Sequence, residues 1–390
     1  MKQWASSASG SPRFYLVSAA GGNLGDDLIT IGWLRAIYDR YPDAEVFCDV
    51  SDPSLFQWTL SLFPELRPRV VYFAWQLARG LTGDRWQMLQ NGAHAIQLAR
   101  DPWARVLREL LSSCQQVHVL GGGFINDLWP GNLALCQLLA ESRRLHNHRL
   151  VWTGGSIIPI SEMSLFDISP AVAMFDYISC RDLPSWQLLS KINPHASETP
   201  DDMLVAMLAQ VVRQPRELLE TNVLVVSHQR DLYSAEDFQR NVTALRGLLN
   251  ALAGENWRFI YPEMNVIYDR PGYEFLYSQR YPLEFVCYLE LVRQLRDGTF
   301  PCGLNTFGYV TRFHLHMLLS WWGVSGRWLS TGDYYDNKHD LLKRYYGSPW
   351  ERFDAESDIT PPATVSESDR STRWKSLADL KLEEVEWLYG

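Results

Sequence analysis

The stretch Arg13–Leu28, RFYLVSAAGGNLGDDL, decides the fold: an apolar run of strand length, a pair of glycines, and then a helical pattern over Leu28–Tyr41. A short, unbroken apolar run suits a strand buried on both faces, which is the habit of parallel sheets. The same grammar recurs downstream. Ala44–Val50 reads as a second strand and Pro53–Pro64 as a helix. Gln116–Leu120 runs into Gly121, Gly122 and Gly123, and Arg149–Thr153 ends in Gly154 and Gly155. Phe175–Cys180 leads into Arg181, Asp182 and a helix over Pro184–Ile192. Strand, turn and helix repeated in this way predict a parallel α/β sheet with right-handed crossovers.

The pattern restarts at Asn222–Ser227, NVLVVS, after a connector at Gln214–Thr221. A helix over Ala235–Ala253, a strand at Arg258–Tyr261, helical stretches at Pro282–Asp297 and Arg312–Trp322, and a late strand at Gly326–Ser330 follow. Two Rossmann-like domains facing a cleft fit this layout, with boundaries at 12–213 and 214–350. Ala355–Thr372 is rich in Ser, Asp, Thr and Pro and reads as a linker within the remaining 351–390. Apolar spacing at Leu377, Leu380, Val385 and Leu388 predicts a terminal helix over Ser376–Tyr389, packed back on the first domain.

Composition narrows the function. With 390 residues, 46% apolar and 21% charged, the chain has ample core for two domains and is not a disordered protein. Its net charge of −9 provides no basic field for nucleic acid. No apolar run approaches the ~18 residues of a membrane span, and Met1–Pro12 has no apolar signal core. Six scattered cysteines without a CxxC pair suggest neither a metal centre nor a disulfide framework, and are read as reduced thiols, mostly buried, in a cytoplasmic protein. His146 and His148, in the polar turn RRLHNHR, are read as surface residues.

Four constellations carry chemistry. In Gly21–Asp27, GGNLGDD, the glycines permit a sharp turn and close ligand approach. Asp26 and Asp27 serve either as helix caps or as a carboxylate aimed into the cleft, able to deprotonate a hydroxyl. This is neither GxGxxG nor a nucleotide P-loop. In Gly121–Trp129, GGGFINDLW, the triplet is either a tight crossover or a point of close approach. Asn126 and Asp127 can hydrogen-bond an acceptor, and Trp129 can stack on a sugar face. In Cys180–Ser185, Arg181 at a strand's carboxyl end either grips an anion bidentately or pairs structurally with Asp182. In Thr311–His316, TRFHLH, the helix start with Arg312 attracts an anion, and His314 is the natural general acid or phosphate contact. Lys338, in YYDNK, is either a second cation for this site or a solvated surface charge.

Taken in order, GGNLGDD, VHVLGGGFIND, CRDLPS, TRFH and YYDNK resemble the motifs of the polysaccharide pyruvyl transferase family, over about residues 13 to 345. The resemblance implies a GT-B-like pair of domains, the first on the acceptor side and the second on the donor side, with no cofactor and no metal. Phosphoenolpyruvate is the co-substrate; its pyruvyl group is placed on two sugar hydroxyls of a polysaccharide or glycolipid precursor as a cyclic ketal, with release of phosphate. Carried over residue by residue, Arg181, Arg312, His314 and Lys338 would hold the donor. Asn23, Asp26, Gly122, Gly123, Asn126, Asp127 and Trp129 would face the acceptor, and His314 and Asp26 would share the acid and base roles in either order. The implied location is the cytoplasm or the inner face of the membrane, and homo-oligomers are compatible with it. A GT-B glycosyltransferase using a nucleotide sugar and a non-catalytic relative are the alternatives.

Overall fold

Seven parallel strands form the first sheet: β1 (Arg13–Ser18), β2 (Glu45–Val50), β3 (Arg69–Val71), β4 (Gln116–Val119), β5 (Arg149–Gly155), β6 (Tyr177–Cys180) and β7 (Ala196–Glu198). The computed structural model describes residues 11–80, 101–231, 234–253, 256–277, 283–303, 305–330, 332–353 and 367–390. Strand order is 3-2-1-4-5-6-7, so the chain reverses direction across the sheet between β1 and β4. Phe14 to Ser18 are buried without alternation, because helices cover both faces of a parallel sheet.

A two-residue strand, β8 (Leu218–Leu219), precedes the second sheet and pairs with β12 (Cys302–Gly303). The second sheet is also parallel: β9 (Asn222–Ser227), β10 (Trp257–Pro262), β11 (Leu283–Val286), β13 (Thr306–Val310), β14 (Ser325–Trp328) and β15 (Glu351–Arg352), in the order 11-10-9-13-14-15. Its reversal falls between β9 and β13. Ligands of open α/β sheets bind at such reversals, outside the carboxyl ends of the strands.

Strands β3, β7, β8, β12 and β15 have no counterpart in the sequence reading, and three more elements depart from it. The helical stretch expected over Pro282–Asp297 is a strand, β11, followed by helix Tyr288–Asp297. Its first residues pair in register with Phe259–Pro262 and so satisfy the hydrogen bonds of β10, which a helix there would leave open. Central strand β13 has no counterpart in the sequence reading, and Gly308 breaks its run of side chains. A Cβ at that position would lie 2.2 Å from the Trp350 ring, so the glycine makes room for an indole. The terminal helix runs Glu367–Tyr389 rather than starting at Ser376, which makes Glu367–Thr372 helical; the rest of the expected linker lies outside the described residues. His148 is a further correction: it is buried, pushed down to about 4 by desolvation, not a surface residue.

The halves are joined at the cleft floor by backbone hydrogen bonds, Leu24 N–H to Met264 O at 2.8 Å and Val266 N–H to Gly22 O at 3.1 Å. One core cluster runs continuously from Leu16 and Leu28 through Val225 to Leu318, and the terminal helix adds Trp374, Leu377 and Leu388 to it. Tyr389 at its end lies edge-on to Phe14, 5.3 Å away.

Candidate functional site

Both sheets present their carboxyl ends to one cavity of about 280 Å³. The loop after β1 reaches it through Gly21 and Gly22, whose φ angles of +143° and +86° L side chains rarely adopt. Helix Leu24–Arg40 then starts on Asn23, and its two acids part company. Asp26 lines the cavity, accepting from Asn23 Nδ2 at 2.7 Å. Asp27 turns into the core and accepts from Gly21 N–H at 2.7 Å, Thr59 Oγ1 at 2.6 Å and the Tyr288 hydroxyl at 2.5 Å. Neither carboxylate caps the helix. Burial raises both, Asp27 to about 6. For Asp26 burial is opposed by His314, then Arg181 and Lys338.

Each arginine arrives with its own counter-ion. Arg181, at the end of β6, is buried and donates from Nη1 to Asp201 Oδ2 at 2.8 Å, not to Asp182, which caps helix Leu183–Leu189. Desolvation would lower the guanidinium, but Asp201 together with Tyr334 and Asp182 leaves it raised. Desolvation likewise works against the Asp201 carboxylate, yet Arg181 and His314 hold it well below the usual range. Arg312, after β13, donates from Nε to Asp269 Oδ1 at 2.8 Å and lies 3.4 Å from Asp231. Lys338, on helix Asp333–Tyr346, donates to the Tyr334 hydroxyl at 2.6 Å, and its Nζ sits 3.9 Å from that ring's centre. Its ammonium is pushed well below the normal lysine value, first by burial and then by Arg181.

His314, in the first turn of helix Phe313–Trp321, lies against the backbone of Gly25. Its Nε2 is buried without a hydrogen bond, 3.7 Å from Asp201 Oδ1. The glycine triplet makes room in the same sense: a Cβ at Gly123 would lie 2.8 Å from the Tyr334 hydroxyl and 3.1 Å from Arg181 Nη2. Gly122, with φ +151°, places its own Cβ position 3.4 Å from Asp26 Oδ1.

Of the residues singled out in the sequence, Asn23, Asp26, Gly123, Trp129, Arg181, Arg312, His314 and Lys338 line the cavity together. Gly122, Asn126 and Asp127 do not. Asn126 is buried and ties its own loop, donating to Gly123 O at 2.9 Å and accepting from Leu128 N–H at 3.0 Å. Asp127 accepts from Ser161 N–H at 2.7 Å and from the Ser164 hydroxyl, fastening that loop to helix Glu162–Val172. Sequence reasoning missed Asp201, Asp231 and Asp269, the carboxylates that hold the cations. The TPDD run at Thr199–Asp202 was the available signal for the first; the other two sit in ordinary polar loops. Among the described residues, no group of three His, Cys, Asp or Glu is arranged to hold a metal ion, and no helix is long and apolar enough to cross a membrane.

The model of the family described as "Polysaccharide pyruvyl transferase" matches residues 23–271. That span holds Asp26, the glycine triplet, Arg181, Asp201 and Asp269; Arg312, His314 and Lys338 lie beyond it. No curated protein matches the sequence. Among solved structures, S. aureus MnaA with UDP is similar at a TM-score of 0.53 and 11% identity, over 82% of this chain and 80% of that one. The UDP-GlcNAc 2-epimerase from Neisseria meningitidis bound to UDP-GlcNAc gives 0.52 and 9%, over 87% of each chain. The UDP-GlcNAc 2-epimerase from Methanocaldococcus jannaschii gives 0.51 and 10%, over 94% of this chain and 99% of that one. The fold they share is of the GT-B type, and at such identities the likeness concerns fold alone.

Proposed function

We propose that this chain, which belongs to the polysaccharide pyruvyl transferase family, moves the pyruvyl unit of phosphoenolpyruvate onto two hydroxyls of a sugar in a polysaccharide or glycolipid precursor. The observation that carries this reading is the convergence of Arg181, Arg312, His314 and Lys338 on one cavity that Asp26 also lines. A donor with a carboxylate and a phosphate needs several cations at short range, and bidentate guanidinium groups recognise both. Walls that exclude water strengthen each of these contacts.

The chemistry follows from the groups present. Protonation of the donor's methylene carbon makes C2 electrophilic, and His314, with an unbonded Nε2 in the cavity wall, delivers that proton. Asp26 takes the proton of the attacking sugar hydroxyl, and a C2–O bond forms. Phosphate departs with the C–O electron pair toward Arg312 and Lys338. A second hydroxyl of the same sugar then closes the ketal, its proton leaving with the phosphate. The balance is one donor and one diol in, one ketal and one phosphate out. Exchanging the acid and base roles of His314 and Asp26 preserves that balance. The proposal places the reaction in the cytoplasm, in keeping with the free thiols of all six cysteines.

Calorimetric titration with phosphoenolpyruvate, followed by phosphate release in the presence of a diol-bearing glycan, tests the reading. Saturable binding that weakens at least about tenfold in Arg312→Lys is expected, because Lys cannot reproduce the guanidinium fork. Saturation of the folded protein by a nucleotide sugar, with none by phosphoenolpyruvate, would overturn it.

A further inference from the structure

Asp201 and Asp202 are neighbours that face opposite ways. Asp201 meets Arg181 and His314 in the cavity wall. Asp202 is fully buried behind it and gathers donors from four parts of the chain. Its Oδ2 accepts from Gly121 N–H at 3.0 Å, Trp33 Nε1 at 2.9 Å and Thr153 Oγ1 at 2.6 Å. Its Oδ1 accepts from Lys381 Nζ at 2.8 Å. Gly121 opens the glycine triplet, so one carboxylate anchors two cavity-wall segments at once.

Two of these connections lead to the terminal helix, and none of its described side chains lines the cavity. Lys381 is wholly buried, and its only carboxylate partners among the described residues are Asp202 and, at 2.5 Å, Glu384. The second route is a chain of hydrogen bonds whose directions are set by its last member. Thr153 gives its hydroxyl proton to Asp202, so its oxygen accepts from His118 Nε2–H at 2.8 Å. His118 Nδ1 must then accept from the Tyr389 hydroxyl, also at 2.8 Å. That assignment needs a neutral imidazole, and burial pushes His118 down to about 3. The relay thus runs from the Tyr389 hydroxyl through His118 and Thr153 to Asp202.

We propose that the terminal helix is a positioning element of the cavity: Lys381, acting on Asp202, holds the glycine triplet and the Asp201 backbone where Asp201 can orient Arg181 and His314. A buried carboxylate stripped of its cation must either move toward water or take up a proton, and either change shifts the segment that carries Asp201. The effect on donor affinity rests on the reading of the cavity given above; the effect on His314 does not.

The test is nitrogen-15 histidine NMR of the protein, with phosphoenolpyruvate titrations beside it, on Lys381→Met, Lys381→Met/Asp202→Asn/Glu384→Gln and Tyr389→Phe. In Lys381→Met the His314 ring resonances and their titration move, and donor affinity drops about tenfold. Removing all three charges in the triple variant returns them toward wild type, since neutral replacement of a buried ion cluster costs far less than breaking it. Tyr389→Phe, which deletes one hydroxyl, shifts His314 in the same sense by less, and it decides the matter if Lys381→Met does not fold. A merely structural role would lower thermal stability and leave His314 unmoved. Folded Lys381→Met or Tyr389→Phe with wild-type His314 titration overturns the proposal. Wild-type protein that ignores phosphoenolpyruvate while His314 shifts as expected overturns only the functional reading.

Discussion

The imidazole of His314 lies directly on the backbone of Gly25, so that a Cβ built on the glycine would fall 1.7 Å from His314 Nδ1. Gly25 sits in the first turn of helix Leu24–Arg40, where alanine is the better helix former by about 1 kcal/mol. Gly25→Ala is therefore expected to keep the fold and displace His314. Phosphate release should fall by at least about a hundredfold, the scale of a lost general acid, with a circular dichroism spectrum unchanged from wild type.

Asp26 and the bound donor are both negative, and Asp26 is needed only when a hydroxyl attacks. Asp26→Asn should leave phosphoenolpyruvate affinity equal or tighter while lowering the turnover rate by roughly a hundredfold or more. Burial raises Asp26 above the ordinary carboxylate value, so as a base it loses activity at a higher pH than an exposed aspartate would. Calorimetry beside the pH–rate profile separates the two effects.

Lys338 is pushed toward its neutral form by burial and by Arg181. A bound anion restores the ammonium, so donor binding takes up a proton wherever the free lysine has lost it. Donor affinity should decline as pH rises, and binding enthalpy should vary with the ionisation enthalpy of the buffer. Lys338→Met removes that part of the proton uptake.

Arg312 is bound up with the fold as well as the site. Its loss leaves Asp269 buried without a cation, so Arg312→Ala should cost about 3–5 kcal/mol, read by urea denaturation. Arg312→Met/Asp269→Asn should recover most of that stability and none of the donor binding.

Asp27 affects stability in the opposite sense from a salt-bridged acid. Burial raises its pKa from the ordinary 3.8 to about 6, so the folded state holds its proton longer than the unfolded chain. Its contribution is present below about pH 4 and lost as pH rises through about 6, a swing of about 3 kcal/mol at one unit per ~1.4 kcal/mol. Asp49, which accepts from Tyr15 and the Ala74 amide and is pushed up to about 7, continues the trend. Melting temperatures of Asp27→Asn across pH 4–7 should show a shallower fall than wild type.

Much of this was legible in the chain. The apolar runs at Arg13, Gln116, Phe175 and Asn222, each with its turn, marked strands whose carboxyl ends would carry the chemistry, and the structure has a strand in each. Gly308 hid the central strand β13, because room for the Trp350 ring is a requirement of packing and leaves no periodic trace. The helical reading of Leu283–Val286 failed for a related reason: four residues are too few to separate the two periods, and pairing with β10 decided it.

What the sequence determined by itself was local: where the backbone turns, which residues sit at strand ends, and which loops can come close to a ligand. The tertiary structure alone decided what each polar side chain faces. Asp26 and Asp27 are adjacent on one helix, yet one lines the cavity and the other meets Thr59 and Tyr288. Asn126 and Asp127 have the composition of a binding loop and spend their hydrogen bonds holding that loop in place. The partners of Arg181, Arg312 and Lys381 come from other elements, because a buried charge must find its counter-ion in space, and neither strand nor helix periodicity carries that distance.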